Sequence, residues 1–443
     1  MRLESWRRNF HAVWPSLFAT SMGLMAFLPT LSLYVRERFG IVDAKELAFW
    51  AGIIYGAAPF SAAIAGPIWG ALGDRVGKKP MAIRANLAIA ITTGLMPFAS
   101  TPLLLLLMRA VQGVLAGYVA PAMALVSQAA PRELHGIVIA RLQVAMAMGA
   151  VLGPWLGGVV NHFFGRAALF WVTSVLSALA ALQLHRRAEE VRPVVVAGRA
   201  SFRAEMGRAV LELLSNRVFA WLLVLITLLR LGQNMLEPFI ALFVSELGAP
   251  VWMQELAGQV LSLGAAVDAT NQAPGGARSQ LALELTISAA FGIMGVVQLV
   301  FTPWWGRLAD RFGPLRCLGF LGLCLAGILA ATAVVASANQ FLVLRTAAAC
   351  MMAGSMTLAY AAASKRVADG RRTLAFSLVQ SCMQLGFGLG PQIGGVVAVI
   401  GTNGFVNFRQ AFMAAAVLCL AAALGMFALR RVRVPEEPLA TPP

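Results

Sequence analysis

Apolar stretches long enough to cross about 30 Å of hydrocarbon follow one another along almost the whole of this chain. A chain of that kind is held to a bundle of spanning helices. With 59% of its residues hydrophobic and 12% charged, and a mean hydropathy of +0.77, an ordinary soluble protein is excluded. Periodicity and turn residues place six helices at about His11–Val35, Ala48–Leu72, Pro80–Ala99, Leu103–Val126, Ile137–Val160 and Arg166–Leu184. Six more are expected at about Val218–Val244 and near residues 281–305, 315–336, 339–363, 374–400 and 408–429.

The two sets of six repeat one another. Pro67-x-Trp69-Gly70 runs into Ala71-Leu72-Gly73-Asp74-Arg75-Val76-Gly77, and Pro303-x-Trp305-Gly306 runs into Arg307-Leu308-Ala309-Asp310-Arg311-Phe312-Gly313. An offset of 236 relates the two, and it also carries Arg109 to Arg345. Pro29–Val35 reappears as Pro238–Val244 at an offset of 209, so 27 residues are inserted between Ser245 and Gln280. The expected architecture is an all-α integral membrane protein of twelve transmembrane helices in two pseudo-symmetric six-helix halves. Residues 1–184 form the first half, 185–217 a charged connector, and 218–443 the second half with an enlarged outer loop at 245–280. The Ala273-Pro274-Gly275-Gly276 end of that loop reads as flexible.

The net charge of +16 could suggest nucleic acid, but its distribution excludes that partner. Of 35 Lys and Arg, six fall in loops of one side (Arg36, Arg38, Lys45, Arg166, Arg278, Arg409) and three inside apolar segments (Arg109, Arg230, Arg345). The other 26 sit at the termini and the opposite loops, the positive-inside bias that puts both termini in the cytoplasm. The basic residues of the twin loops can also meet anionic lipid heads. Met1–Arg8 leads into a stretch too long for a signal peptide and is read as the first span. Five cysteines lie in apolar segments without metal-ligand spacing and read as small packing residues.

Several polar groups fall at membrane depth. Arg230, Gln233, Asn234 and Glu237 share one face of helix 7 by spacing, and Glu237 is the only carboxylate well inside a predicted helix. Such groups mark a substrate or proton path by default. The alternative is an Arg230–Glu237 pair that only locks helix 7. Arg109, in Arg109-x-x-Gln112-Gly113, must face a cavity or a partner; it can also be a structural arginine bonded to carbonyls of a neighbouring helix. Phe27, Met25, Tyr118, Gln233, Asn234 and Gln384 are candidates for lining an adaptable pocket, since Met and aromatics repack around varied ligands. Gly149-x-x-x-Gly153-Pro154-x-x-Gly157-Gly158 and Gly386-x-x-x-Gly390-Pro391-x-x-Gly394-Gly395 allow close helix crossings. Plain helix packing explains these glycines as well.

The twin G-x-L-x-D-R-x-G loops resemble the signature of the major facilitator superfamily. The Arg109 motif resembles that superfamily's helix-4 motif, and the helix-5 glycine motif resembles that of its drug:proton antiporters. The resemblance covers essentially the full length. It implies alternating access and a conformational latch at Gly70, Asp74, Arg75, Gly77, Asp310 and Arg311, with Asp74 meeting the start of helix 11 and Asp310 the start of helix 5. It also implies a role for Arg109 in proton coupling, alongside Glu237 and Arg230. The chain departs from many relatives in having Gln128 at the cytoplasmic end of helix 4, where an acid is common, and no acid in helix 1. The expected function is proton-coupled efflux of lipophilic drugs across the bacterial inner membrane. The alternatives are uptake by the same fold and, remotely, a non-transporting receptor. The expected partners are a small-molecule substrate, protons and the bilayer, for a monomer without cofactor or metal. Enzymatic chemistry finds no phosphate-binding loop, metal cluster or nucleophile–base pair here.

Overall fold

A computed structural model describes residues 2–127, 129–131, 134–190, 210–265, 275–367, 372–400 and 407–431. The described residues are almost wholly helical, and twelve helical units carry the fold. They are α1 (Trp6–Phe39), α2 (Ala44–Val76), α3 (Lys78–Leu95), α4 (Pro102–Ser127), α5 (His135–Phe164) and α6 (Arg166–Arg187), then α7 (Arg217–Leu247), α8 (Gly275–Phe312), α9 (Pro314–Thr332), α10 (Ala338–Ser364), α11 (Arg372–Val397) and α12 (Phe408–Arg431). Eleven are long and apolar enough to cross a membrane. The twelfth, α11, has the length at 26 residues but carries glutamines and glycines that lower its hydropathy.

The repeat is visible in the packing. α1 lies on α5 as α7 lies on α11, α2 on α4 as α8 on α10, and α3 on α6 as α9 on α12. The matching extends to single bonds. Trp69 Nε1 donates to Val114 O at 2.5 Å and Trp305 Nε1 to Cys350 O at 2.7 Å. Both first helices of a half break at the same place: α1 passes through a 3₁₀ turn at Leu28–Thr30, and α7 through one at Glu237–Phe239. Pro29 and Pro238 cause the breaks, since proline removes an N–H from the helical ladder.

The twin loops are shorter than expected. α2 runs on to Val76 and α8 to Phe312, so each turn reduces to one glycine, Gly77 (φ +111) or Gly313 (φ +86). Both values lie where an L side chain is strained. The outer loop is also more ordered than its composition suggests. Val251–Ala265 is a helix, and Arg278 Nε ties it to α8 by donating to Gln254 O at 2.8 Å. Of the stretch expected to be flexible, Gly275 and Gly276 open α8, while Ala273 and Pro274 lie outside the described residues.

The halves touch along two seams, α2 against α11 and α5 against α8. Both seams are tight on the side opposite the twin loops. Gly52 abuts Pro391 O, Gly56 abuts Gly388 O, Gly395 abuts Ala48 O and Ser288 Oγ donates to Pro154 O at 2.7 Å. Toward the twin loops the same helices separate, leaving Ile64, Ile68, Val144, Val296 and Val300 exposed. The buried core divides accordingly, with one cluster crossing both halves and a second confined to the loop-side end of the first half.

Candidate functional site

At the break in α7, the chain leaves helical geometry after Asn234 and turns through Leu236 O···H–N Phe239 at 2.9 Å. The carboxylate of Glu237 is thereby carried inward, where it is 6% exposed. Arg345 of α10 meets it, with Nη2 donating to Oε1 at 2.8 Å and Oε2 at 3.0 Å. Arg345 Nε also donates to Ala290 O at 3.3 Å, and its guanidinium stands 5.7 Å from the Phe291 ring centre.

The Arg230–Glu237 pair that stood as the alternative does not form; Glu237 pairs with Arg345. Arg230 donates to Gln233 Oε1 at 3.2 Å and stands 6.0 Å from the Phe387 ring centre, while still feeling the charge of Glu237. The reason is the break itself: spacing of seven puts two residues on one face only while the helix continues, and it stops at Asn234.

Arg109 occupies the matching place in the first half. Its Nε donates to Ile54 O and its Nη2 to Tyr55 O, both at 3.3 Å, and Nη1 reaches Gln112 Oε1 at 2.5 Å. Gln112 passes the chain on to Thr93 Oγ1 at 2.7 Å. Ile54 plus 236 is Ala290, so the two arginines hold equivalent carbonyls. The halves differ in what completes the arginine: a neutral glutamine for Arg109, a carboxylate for Arg345. The position equivalent to Glu237 in the first half is Leu28.

Tyr55 joins the two arrangements. It is buried in α2, its ring meets Phe387 of α11 edge-on at 6.3 Å, and it lies within electrostatic reach of Glu237, Arg109 and Arg345. Neither Tyr55 nor Arg345 stood among the expected site residues. Arg345 was signalled by its repeat relation to Arg109, and Tyr55 by being one of only four tyrosines.

The remaining candidates separate. Gln233 and Asn234 are buried beside Arg230, with Asn234 Nδ2 bonded back to Arg230 O at 2.7 Å and Gln233 Nε2 without a partner among the described residues. Gln384 and Met25 are half-buried. Phe27 is packed against Phe170 beneath Arg109, and Tyr118 belongs to the loop-side core. Packing accounts for these two rings in this conformation.

The glycine motifs are crossing points. Gly149 and Gly153 lie against α1 at Met22, and Gly157 against Ala26 O. Gly386, Gly390 and Gly394 lie likewise against Arg230, Leu231 and Met235 of α7, and Gly158 faces Ser288 and Glu284 of α8 across the seam. Pro154 and Pro391 lie inside their helices. At the twin loops, Asp310 and Arg311 are exposed, Asp310 with no ion pair among the described residues. The side chains of Asp74, Arg75 and Ile137, the surroundings of Gly70, and all of Gln128 and Glu133 lie outside the described residues, so neither expected latch contact is described.

On the opposite side a charged lock joins the halves. Arg166, at the start of α6, donates from Nη2 to Glu284 Oε1 of α8 at 2.8 Å and pairs with Glu37 of α1. Glu284 is 1% exposed.

Known proteins share this arrangement of helices. The nucleoside transporter NupG superposes with a TM-score of 0.73 at 13% identity, covering 96% of this chain and 100% of that one. A bacterial homologue of the human lysosomal transporter Spinster, in an inward-facing and occupied conformation, gives 0.71 at 16% identity over 95% and 96%. In sequence, the chain is 31% identical over 433 residues to the multidrug resistance protein MdtG of Dickeya zeae (strain Ech586), covering 96% of this chain and 95% of the relative. The MdtG of Proteus mirabilis (strain HI4320) is 30% identical over 324 residues, 73% of this chain and 72% of that one. The sequence profile of the Major Facilitator Superfamily matches residues 13–280 and again 277–443, which together span nearly the whole chain. Repeated halves, broken first helices and full-length profile together make this multi-pass membrane chain a member of the Major Facilitator Superfamily.

Proposed function

We propose that this protein expels lipophilic small molecules in exchange for protons by alternating access, as a monomer in the bacterial inner membrane with both termini cytoplasmic. Residues 1–184 and 218–443 are the two moving bodies, and 185–217 is their cytoplasmic connector. The observation that carries the reading is the buried Glu237–Arg345 pair at the break of α7, within reach of Tyr55 at the seam. Broken helices at midplane are where transporters of this architecture bind substrate and coupling ion. The kinship with multidrug resistance proteins supports a drug as the cargo.

The geometry suggests how the proton acts. With Glu237 ionised, Arg345 is neutralised and the α7 break is tied to α10. A proton on Glu237 removes the charge that holds Nη2, leaving Arg345 to Ala290 O, the Phe291 face and Met294 Sδ. The end of α7 beyond the break is then free to shift, and a cationic or polar drug can compete for the same carboxylate. In the conformation observed, both seams are closed opposite the twin loops and open toward them, which is the cytoplasm-facing arrangement under this reading.

Everted membrane vesicles provide the test. Adding lipophilic cations should release protons from vesicles containing the wild-type protein. Vesicles containing Glu237→Gln should bind the cation without proton release. A normal proton signal from Glu237→Gln would move the coupling site away from the α7 break.

A further inference from the structure

One well-formed cavity lies away from the seam. It is a groove of about 660 Å³ along the outer face of α3, bounded by Leu115 at the end of the first part of α4 and by His185 in the last turn of α6. That volume falls within the range of small-molecule sites, about 300–1,000 Å³. Its floor is two adjoining ridges of α3, Lys79–Ile83–Leu87–Ile91 and Pro80–Arg84–Ala88–Thr92. Basic side chains gather at the twin-loop end, and the rest is apolar.

Arg84 is the anomaly. It lies six residues into α3, about 9 Å along its axis, where an unpaired guanidinium is costly. Its Nε and Nη1 are buried with no partner among the described residues, and its Cζ sits 3.4 Å from the Trp69 ring centre. Trp69 is in turn fixed to Val114 O, just before α4 breaks at Ala116–Tyr118 with Gly117 at φ +104. The backbone amides at the start of α3 are not free to take a ligand, because Glu190 of the connector accepts from Lys78 N at 3.0 Å and Lys79 N at 2.9 Å. The open donors are therefore side chains.

The repeat supplies an internal control. In the second half, Leu315 stands at the position of Lys79 and Phe320 at that of Arg84, and α10 is continuous where α4 breaks. Arg316 stands at the position of Pro80, so the pairing of Lys79 with Arg84 is a departure from the duplicated plan.

We propose that this groove binds one anionic phospholipid of the cytoplasmic leaflet, its phosphodiester held by Arg84, Lys79 and His185 and an acyl chain laid along Leu87 and Ile91. A phosphodiester oxygen is the acceptor with which a guanidinium or an ammonium makes a charge-assisted hydrogen bond. An anionic lipid also supplies the charge that three basic groups at one end of an apolar trough require.

Native mass spectrometry of the detergent-solubilised full chain tests this, with dioleoylphosphatidylglycerol and dioleoylphosphatidylcholine as probes. Wild type should retain one phosphatidylglycerol in preference to phosphatidylcholine. Lys79→Gln with Arg84→Gln should weaken that retention about thirtyfold. Leu87→Trp keeps every charge and fills the trough at a surface position, so it should displace the lipid without unfolding the chain. Glycerol 3-phosphate, which has a phosphate but no chain, should not compete. Equal retention of the two lipids, unchanged retention in both variants, or competition by glycerol 3-phosphate would overturn the proposal, the last by pointing to a free-phosphate site.

Discussion

Glu237 and Arg345 stand 108 positions apart in sequence and meet in a pair whose side chains are 7% and 10% exposed. Removing one partner of such a pair leaves an uncompensated charge, which costs about 3–5 kcal/mol, whereas removing both can be nearly neutral. Glu237→Gln should therefore lower the unfolding temperature in detergent, and adding Arg345→Gln should recover most of the loss. Additive losses in the double variant would mean that the two side chains are not coupled. Glu237→Asp should keep partial transport, because the shorter acid remains titratable while reaching less well for Arg345. Arg109 makes a different demand on its replacement. It spans two carbonyls and Gln112 with three separate nitrogens, and a lysine has one. Arg109→Lys should then behave as a loss of structure around α2 and α4, read as faster backbone hydrogen exchange there.

Among the helices, the motif glycines set how closely neighbours approach. A Cβ at Gly153 would stand 2.6 Å from Met22 O and one at Gly390 2.7 Å from Leu231 O, too close for either to be accommodated without a shift; Met22 and Leu231 are themselves related by the offset of 209. Gly153→Leu or Gly390→Leu should push α1 from α5 or α7 from α11, cost about 1–3 kcal/mol by overpacking, and abolish transport or leave a proton leak. Normal transport by both variants would show that these crossings are not tight in the working protein. Much at this scale could be read from the chain. The repeat, the matching of Pro29–Val35 to Pro238–Val244 and the glycine crossings follow from local residue types acting through known backbone preferences. The ion pair could not be read in the same way. Periodicity assigned Glu237 to Arg230 because it assumes an unbroken helix, and the proline that broke α7 also rotated Glu237 toward α10. Tyr55 escaped notice for a related reason. One tyrosine in a long apolar run gains meaning only when α2 and α11 are laid together. The Arg166–Glu284 lock joins residues 118 apart on different halves, so no spacing rule reaches it.

For the molecule as a whole, alternation requires that the side now closed can open, and the Arg166 lock is the charged tie across it. Arg166 is shared by two acids, Glu37 from its own half and Glu284 from the other. Only the second bond crosses the seam, so only it must break when the halves separate on that side. Glu284 is enclosed in the closed state, with Asn161 beside it as well as Arg166. A hydrogen bond between charged groups contributes about 1.5–3 kcal/mol, so its loss should raise the opposite-side-open fraction about tenfold to a hundredfold. Glu284→Gln keeps the shape and removes the charge, and it is the variant to use. In a cysteine-free background, a reporter at Val160→Cys near the end of α5 should react with a membrane-impermeant thiol reagent faster in Glu284→Gln than in its parent. Glu37→Gln removes the bond within one half and should leave that rate nearly unchanged. Equal acceleration by both substitutions would mean that Arg166 responds only to total charge, and unchanged labelling in Glu284→Gln would remove the lock from the gating step.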